Sequence, residues 1–172
     1  PVPAVELVVP QAADQQVLIT RIFEAPREQV FKAWTDPDQV AAWYGPEHFD
    51  TPRERIHIDL RVGGRYELTM VRRDSGDEFA IGYEIVELVE PELIVLRSDP
   101  MPEMGMHEPT ITRVEFNDHG TKTRMTLSDG PYPAGRDHAE ARWVGRSPLR
   151  KALECMSQKG IGSLVIAGED RK

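Results

Sequence analysis

In the first third of the chain, a segment with the composition of a β-strand is followed by two segments with the residue spacing of short helices. The run VLITRIF, residues 17–23, is rich in β-branched and aromatic side chains and predicts a strand. Apolar residues three and four apart then predict a helix over residues 27–34. A second short helix follows, because Asp36 can cap its first turn and Pro37 suits its first position. Gly45 ends it.

From residue 52 onward the pattern of apolar and polar residues has a period of two. Such alternation predicts strands that bury one face. Short polar or glycine-containing segments separate the strands, which favours antiparallel neighbours. With the first strand, six or seven strands are predicted, the later ones covering residues 56–60, 65–70, 79–89, 93–98, 110–116 and 121–128.

The C-terminal region returns to helical spacing. Leu149, Leu153 and Met156 lie on one apolar stripe and predict a long helix. Pro148 either begins that helix after Ser147 or kinks a longer one.

These elements predict an α+β fold in which a curved antiparallel sheet wraps around the long C-terminal helix. One helix cannot cover both faces of a flat sheet, so a sheet that curls around it is the economical packing. We expect one domain over residues 17–158, preceded by an extended arm over 1–16 and followed by a tail over 159–172. A sheet that grips a helix often leaves an internal cavity.

Composition and charge narrow the classes of function. The chain has 172 residues, which suits a single domain, and a net charge of -8, which argues against general nucleic-acid binding. The one cysteine, Cys155, allows no intrachain disulfide and favours the cytoplasm. No apolar run approaches the ~20 residues of a membrane span. The N-terminal segment lacks the basic region of a secretory signal.

Four co-linear motifs resemble a known family. They are ITRIFEAPREQVFKAWTDPDQVAAWYGP (19–46), DLRVGGRYEL (59–68), GYEIVELVEPELIVL (82–96) and VEFNDHGTKTRMTL (114–127). They resemble the signatures of bacterial homologues of the activator of heat-shock-protein-90 ATPase, in the START-like (SRPBCC) superfamily. The resemblance implies a helix-grip fold with a cavity between the sheet and the long helix. Relatives include binding proteins for hydrophobic molecules, polyketide cyclases, stress proteins and co-chaperone-like domains, so the family fixes no single function.

Aromatic residues and methionines are the candidates for lining such a cavity. Side chains of these types suit a flat or flexible hydrophobic ligand, although each could instead fill the core. The loop over residues 98–109 contributes methionines that could form either a lid or a plug. The candidate ligand-binding residues are Tyr44, Tyr66, Met70, Phe79, Tyr83, Leu96, Met101, Met104, Met125 and Trp143.

Signals for catalysis and metal binding are weak. The five histidines lack metal-ligand spacing and no nucleophile motif such as GxSxG occurs, so no catalytic residue, metal ligand or cofactor is predicted. Cys155 suits a buried structural position. Acid–base chemistry would need a carboxylate facing the cavity, and the candidates on predicted strands are Asp59, Glu67, Glu84 and Glu115.

Three hypotheses of function remain. The first is a binding protein for a hydrophobic or aromatic small molecule, such as a lipid, a polyketide or an aromatic natural product, with antibiotic sequestration and self-resistance as one version. The second is a cyclase- or hydrolase-type enzyme that uses a cavity carboxylate. The third is a co-chaperone-like or stress-related module that binds proteins through the outer sheet surface. Of these, the non-enzymatic binding protein is favoured, and the sequence leaves the ligand and the oligomeric state open.

Overall fold

A computed structural model describes residues 15–45, 48–102 and 106–132 of the chain. Strand β1 spans Gln15–Phe23, helix α1 spans Arg27–Thr35 and helix α2 spans Pro37–Trp43. A single 3₁₀ turn covers Arg53–Arg55. The remaining strands are β2 (Phe49–Asp50), β3 (Ile56–Ile58), β4 (Arg65–Arg72), β5 (Glu78–Val89), β6 (Leu93–Ser98), β7 (Ile111–His119) and β8 (Lys122–Tyr132).

The described strands form one antiparallel sheet of eight strands in the order β1-β8-β7-β6-β5-β4-β2, with β3 also paired to β4. Strands β4 to β8 are a meander, and β1 pairs with β8 at one edge. The predicted α+β class, antiparallel sheet and two short helices are confirmed. The strand count was too low by one, because β2 has two residues and is too short to show alternation.

Several predicted elements lie outside the described residues. They are the long C-terminal helix with Pro148 and Cys155, most of the N-terminal arm, and the tail. The wrapping of the sheet around that helix and the domain limits at residues 17 and 158 therefore stay predictions.

Helix α2 begins as predicted, with Asp36 as its cap and Pro37 at its first position. Helix α2 begins at Pro37, and the Asp36 side chain caps it by accepting a hydrogen bond from the Asp38 backbone N–H at 2.9 Å. The indole N–H of Trp43 donates to the Ala33 carbonyl oxygen at 2.8 Å, which ties α2 back to α1. The two helices thus form one unit across the Asp36–Pro37 corner.

Helix α1 packs on one face of the sheet, which we call the inner face. The ring of Phe31 meets that of Phe116 on β7 edge-to-face, with centroids 5.5 Å apart. Along β4, Tyr66, Leu68 and Met70 are buried on this face, whereas Glu67 between them is exposed. The period-two alternation therefore separates an apolar inner face from a charged outer face.

Candidate functional site

Five aromatic side chains cluster on the inner face beside the two helices, and we call them the aromatic group. The ring centroids of Trp34 and Trp43 are 4.9 Å apart, and those of Trp43 and Tyr44 are 5.5 Å apart. Tyr66 on β4 meets Tyr83 on β5 edge-to-face at 6.1 Å. Such tilted and edge-to-face contacts are the favoured arrangements of aromatic rings.

Two hydrogen-bonding contacts join the halves of the aromatic group. The Tyr66 hydroxyl donates to the Trp34 carbonyl oxygen at 3.0 Å. The hydroxyl oxygens of Tyr44 and Tyr83 are 3.3 Å apart, so one of them donates to the other. Trp43 and Tyr66 are each only 2% exposed, whereas Tyr44 and Tyr83 are half-buried. The two half-buried tyrosines are therefore the members that can touch a ligand without displacing the core.

A buried carboxylate lies on the same inner face of the sheet as these tyrosines. Asp129 on β8 is 1% exposed and accepts a hydrogen bond from the Thr112 hydroxyl on β7 at 2.9 Å. We call Tyr44, Tyr83, Thr112 and Asp129 the polar end of the site. Burial raises the pKa of Tyr44 to about 12; its hydrogen bond with Tyr83 lowers it, and the charge of Asp129 raises it further. Tyr44 is therefore a neutral phenol at physiological pH.

The raised tyrosine pKa predicts a loss of stability at high pH. Between pH 10 and 12 the unfolded chain releases the Tyr44 proton while the folded chain keeps it, so the free energy of unfolding falls as pH rises through this window. The slope reaches about 1.4 kcal/mol per pH unit for one such group. Burial also raises the pKa of Tyr66, in the same direction. Urea unfolding at pH 9, 10 and 11 should show a shallower decline for Tyr44→Phe. Parallel declines in the two proteins would contradict the assignment.

The inner face is closed at the end of β4 that lies away from Tyr66. The Arg72 guanidinium lies over the rings of Phe49 and Phe79, at 5.1 and 5.6 Å from their centroids. Those two rings contact each other edge-to-face at 5.4 Å, and Met70 nearby is fully buried. This end is packed by the protein's own side chains.

A groove of about 510 Å³ lies on the outer face. Its lining includes Arg65, Glu67, Gly82, Asp99 and Met101. Arg65 forms ion pairs with both Glu67 and Asp99, and the lack of a side chain on Gly82 leaves room for the Arg65–Asp99 pair. Three charged side chains of this groove, Arg65, Glu67 and Asp99, are thus already paired with each other.

The sequence of the chain matches a known protein family. The family model described as Activator of Hsp90 ATPase homolog 1-like protein matches residues 24–147. The chain belongs to this AHSA1-like family. A search of curated proteins found no match.

Solved structures share the fold of this AHSA1-like chain. An AHSA1-like protein from Aeromonas hydrophila has a TM-score of 0.70 at 19% identity, covering 92% of this chain and 100% of that one. A protein from Chromobacterium violaceum has a TM-score of 0.68 at 23% identity, with 80% and 94% covered. An HSP90 activator from Plasmodium falciparum has a TM-score of 0.62 at 21% identity, with 87% and 99% covered. At these identities the likeness shows the fold alone.

The predicted cavity residues fall into three groups in this AHSA1-like chain. Met104 and Trp143 lie outside the described residues. Tyr44, Phe79 and Tyr83 are half-buried, and only Phe79 of these belongs to the closed end. The buried candidates are Tyr66, Met70, Leu96, Met101 and Met125. Met101 also lines the outer groove, which sets it apart from the aromatic group.

None of the four carboxylates predicted for acid–base chemistry lies in the polar end. Each is more than a third exposed and forms an ion pair with an arginine; the pairs are Asp59–Arg61, Glu67–Arg65, Glu84–Arg97 and Glu115–Arg113. The sequence interpretation missed Asp129, because it ended the last strand at residue 128. Asp129 is in phase with Met125 and Leu127, and extending the alternation by one step would have placed it on the inner face.

Across the described ranges, no cluster of three or more His, Cys, Asp or Glu side chains could hold a metal ion. None of the described helices is long and apolar enough to cross a lipid bilayer.

Proposed function

We propose that this protein binds a hydrophobic or aromatic small molecule on the inner face of the sheet, next to Tyr44 and Tyr83. The observation that carries the proposal is the half-burial of these two tyrosines, whose rings contact the buried rings of Trp43 and Tyr66. Ligand sites are typically apolar surfaces with a few converging polar groups. The inner face offers both within one cluster.

The rest of the inner face supplies apolar surface for such a ligand. Leu96, Val114, Met125 and Leu127 lie on neighbouring strands β6, β7 and β8, and all four are buried. Burial of apolar ligand surface contributes roughly 25 cal/mol per Å². Aromatic and methionine side chains also adapt to flat or flexible ligands.

The outer groove fits this ligand class less well. Its charged side chains would have to leave their ion partners or lose water contacts when covered by an apolar molecule. The pairs are exposed, so they contribute little to stability, but they make the surface polar. An apolar ligand therefore gains more on the inner face.

A ligand screen by thermal unfolding tests the proposal. Apolar aromatic compounds should raise the melting temperature, and a ligand at ~100 times its dissociation constant adds about 2.7 kcal/mol of stability. Replacing both Tyr44 and Tyr83 with Phe keeps the rings and removes the hydroxyl pair, so hydroxyl-bearing ligands should bind several-fold more weakly, as expected for a loss of ~1 kcal/mol per hydrogen bond.

Ile111→Ala is the matched control for that screen. Ile111 is 39% exposed and lies on β7 in the phase opposite to Thr112, so its loss should leave ligand affinity unchanged. The absence of any stabilisation by lipids, polyketides and aromatic compounds would contradict the proposal. A protein-interaction role for the outer face would then be the better hypothesis.

A further inference from the structure

We propose that the outer groove is a docking site for a protein segment that presents an aromatic side chain between basic residues. This is a second site, on the opposite face of the sheet from Tyr44 and Tyr83, and it does not depend on ligand binding at the inner face. The proposal is carried by a guanidinium group fixed across the floor of the groove, by the apolar wall beside it and by the charge of the lining.

The Arg65 guanidinium is held in place by carboxylates on two sides. Its Nε donates to Glu67 Oε1 at 3.0 Å and its Nη1 donates to Asp99 Oδ1 at 3.1 Å, while its Nη2 donates to the second oxygen of Asp99. The N–H groups of a guanidinium all point within its plane, so these bonds leave its faces available for contact. Guanidinium faces stack well on aromatic rings.

Small residues let this ion pair lie on the backbone of the sheet. A Cβ atom at Gly82 would overlap Asp99 Oδ2 and lie 2.5 Å from Arg65 Nη2. The guanidinium therefore crosses β5 at Gly82, between Glu67 on β4 and Asp99 beyond the other side of β5. An aromatic ring that enters the groove meets this group from the solvent side and leaves its ion pairs intact.

An apolar wall borders the groove after Asp99. Pro100 and Met101 both belong to the lining. The backbone of Met101 exchanges two hydrogen bonds with that of Met106, at 2.7 and 3.0 Å, which fixes the wall. Methionine makes favourable contacts with aromatic rings. The groove thus offers an inserted ring both a cation and an apolar edge, which favours an aromatic side chain over an aliphatic one.

The charge of the lining selects a basic partner. Three carboxylates, those of Glu54, Glu67 and Asp99, line the groove with two guanidinium groups, those of Arg55 and Arg65. Arg55 is itself paired with a further glutamate, on β5. The groove therefore carries an excess of negative charge. Lys or Arg residues beside the inserted ring complement this charge, whereas an acidic segment is repelled.

The exposure of the groove points to a protein segment as the occupant. The side chains of Arg55, Arg65, Glu67 and Asp99 remain between 38% and 50% exposed. Small-molecule sites bury most of the surface of their ligand. Protein interfaces, in contrast, commonly place one aromatic anchor at the centre of a patch with a polar, solvent-accessible rim. A segment that continues past the groove on both sides fits this arrangement.

Three pentapeptides test the proposal by nuclear magnetic resonance titration of the ¹⁵N-labelled full chain at pH 7. They are Ac-GKWKG-NH2, Ac-GKLKG-NH2 and Ac-GEWEG-NH2. The basic tryptophan peptide should bind about fivefold tighter than the leucine peptide, as a contact between an arginine and an indole implies, and the acidic peptide should bind most weakly. The largest shifts are expected at the backbone amides of Glu67, Ala80 and Gly82.

Arg65→Lys tests the guanidinium directly, because it keeps the positive charge and removes the planar group. The ratio of tryptophan to leucine peptide affinity should fall to within about twofold. Arg97→Lys is the matched control. Arg97 forms an exposed ion pair with Glu84 on the same face and does not line the groove, so this variant should keep the wild-type ratio. The ¹⁵N spectrum of each variant reports whether it is folded.

Several results would overturn the docking site. They are equal affinities of the tryptophan and leucine peptides in the wild-type protein, a tryptophan preference that persists in Arg65→Lys or disappears in Arg97→Lys, and binding of none of the peptides. An acidic peptide that binds as tightly as the basic one would overturn the choice of partner. So would tryptamine if it bound as tightly as the basic tryptophan peptide, since the ligand would then be a small cation.

The position of the shifts separates this proposal from ligand binding at the inner face. Shifts centred on Tyr44 and Tyr83 would overturn the docking site and leave the inner face as the binding surface. Thermal stabilisation by apolar compounds tests the inner face independently, so either proposal can fail alone.

Discussion

Replacing Trp43 with alanine is expected to lower the free energy of unfolding by about 3–5 kcal/mol, the usual cost of removing a large buried aromatic side chain. Trp43 is 2% exposed and contacts the rings of Trp34 and Tyr44. Its indole N–H also satisfies the carbonyl oxygen of Ala33. The substitution therefore leaves a cavity and an unsatisfied acceptor at the junction of α1 and α2.

Trp43→Phe separates the contribution of ring packing from that of the hydrogen bond to Ala33. The phenyl ring keeps much of the packing and lacks the donor, so the expected loss is about 1–3 kcal/mol. Urea unfolding followed by far-ultraviolet circular dichroism is the suitable measurement, because the substitution itself alters tryptophan fluorescence. A loss below about 1 kcal/mol for Trp43→Ala would mean that Trp43 does not anchor the two helices.

Gly64→Ala is expected to be the second large perturbation, at about 3 kcal/mol, the upper part of the range for overpacking. Gly64 is buried in the turn between β3 and β4, and its carbonyl oxygen accepts a hydrogen bond from the Ile85 N–H at 2.9 Å. A Cβ atom at this position would overlap the carbonyl oxygen of Asp59 and lie 2.8 Å from that of Arg61. Both obstacles are backbone atoms, so the turn itself must move.

Gly82→Ala is the control for that substitution. The added methyl group would meet the ends of the Arg65 and Asp99 side chains, which can swing away. Because that ion pair is exposed, its disturbance should cost at most about 1 kcal/mol. Urea unfolding of both variants gives the comparison. A smaller loss for Gly64→Ala than for Gly82→Ala would contradict the backbone argument.

Much of the fold could be predicted because the sheet buries only one face, so apolar and polar residues alternate along its strands. On β4 the alternation of Tyr66, Leu68 and Met70 with more polar and more accessible residues predicts the strand and its buried face directly. The Asp36–Pro37 corner likewise carries its own capping signal. Shorter strands were predicted less accurately. Strand β3 ends at Ile58, before the predicted end at Leu60, because the backbone groups of Asp59 and Arg61 form a turn.

The sequence alone suggested aromatic candidates for the site, but it indicated neither the contact between Tyr44 and Tyr83 nor the place of Asp129. Aromatic residues are natural candidates for ligand contact, and Tyr44 and Tyr83 were named as candidates on that ground. The meeting of Tyr44 with Tyr83, 39 residues apart, depends on how α2 packs over β5, which no local pattern encodes. Asp129 was missed because the predicted strand ended at residue 128. The pairing of β7 with β8 continues through Asp129.

The same packing settles the role of the two tryptophans in the motif AWTDPDQVAAWYGP. Both indoles are buried against each other at the junction of α1 and α2, so they are structural anchors. Only Tyr44, at the end of α2, keeps accessible surface within the aromatic group on the helix side.

The most direct test of ligand binding on the inner face is a map of intermolecular nuclear Overhauser effects with 1-naphthalenemethanol as the probe. The account predicts contacts from the naphthalene protons to the ring protons of Tyr44 and Tyr83 and to the methyl group of Met125. Contacts to Thr69 and Ala80 in the outer groove, with none to the two tyrosines, would contradict it.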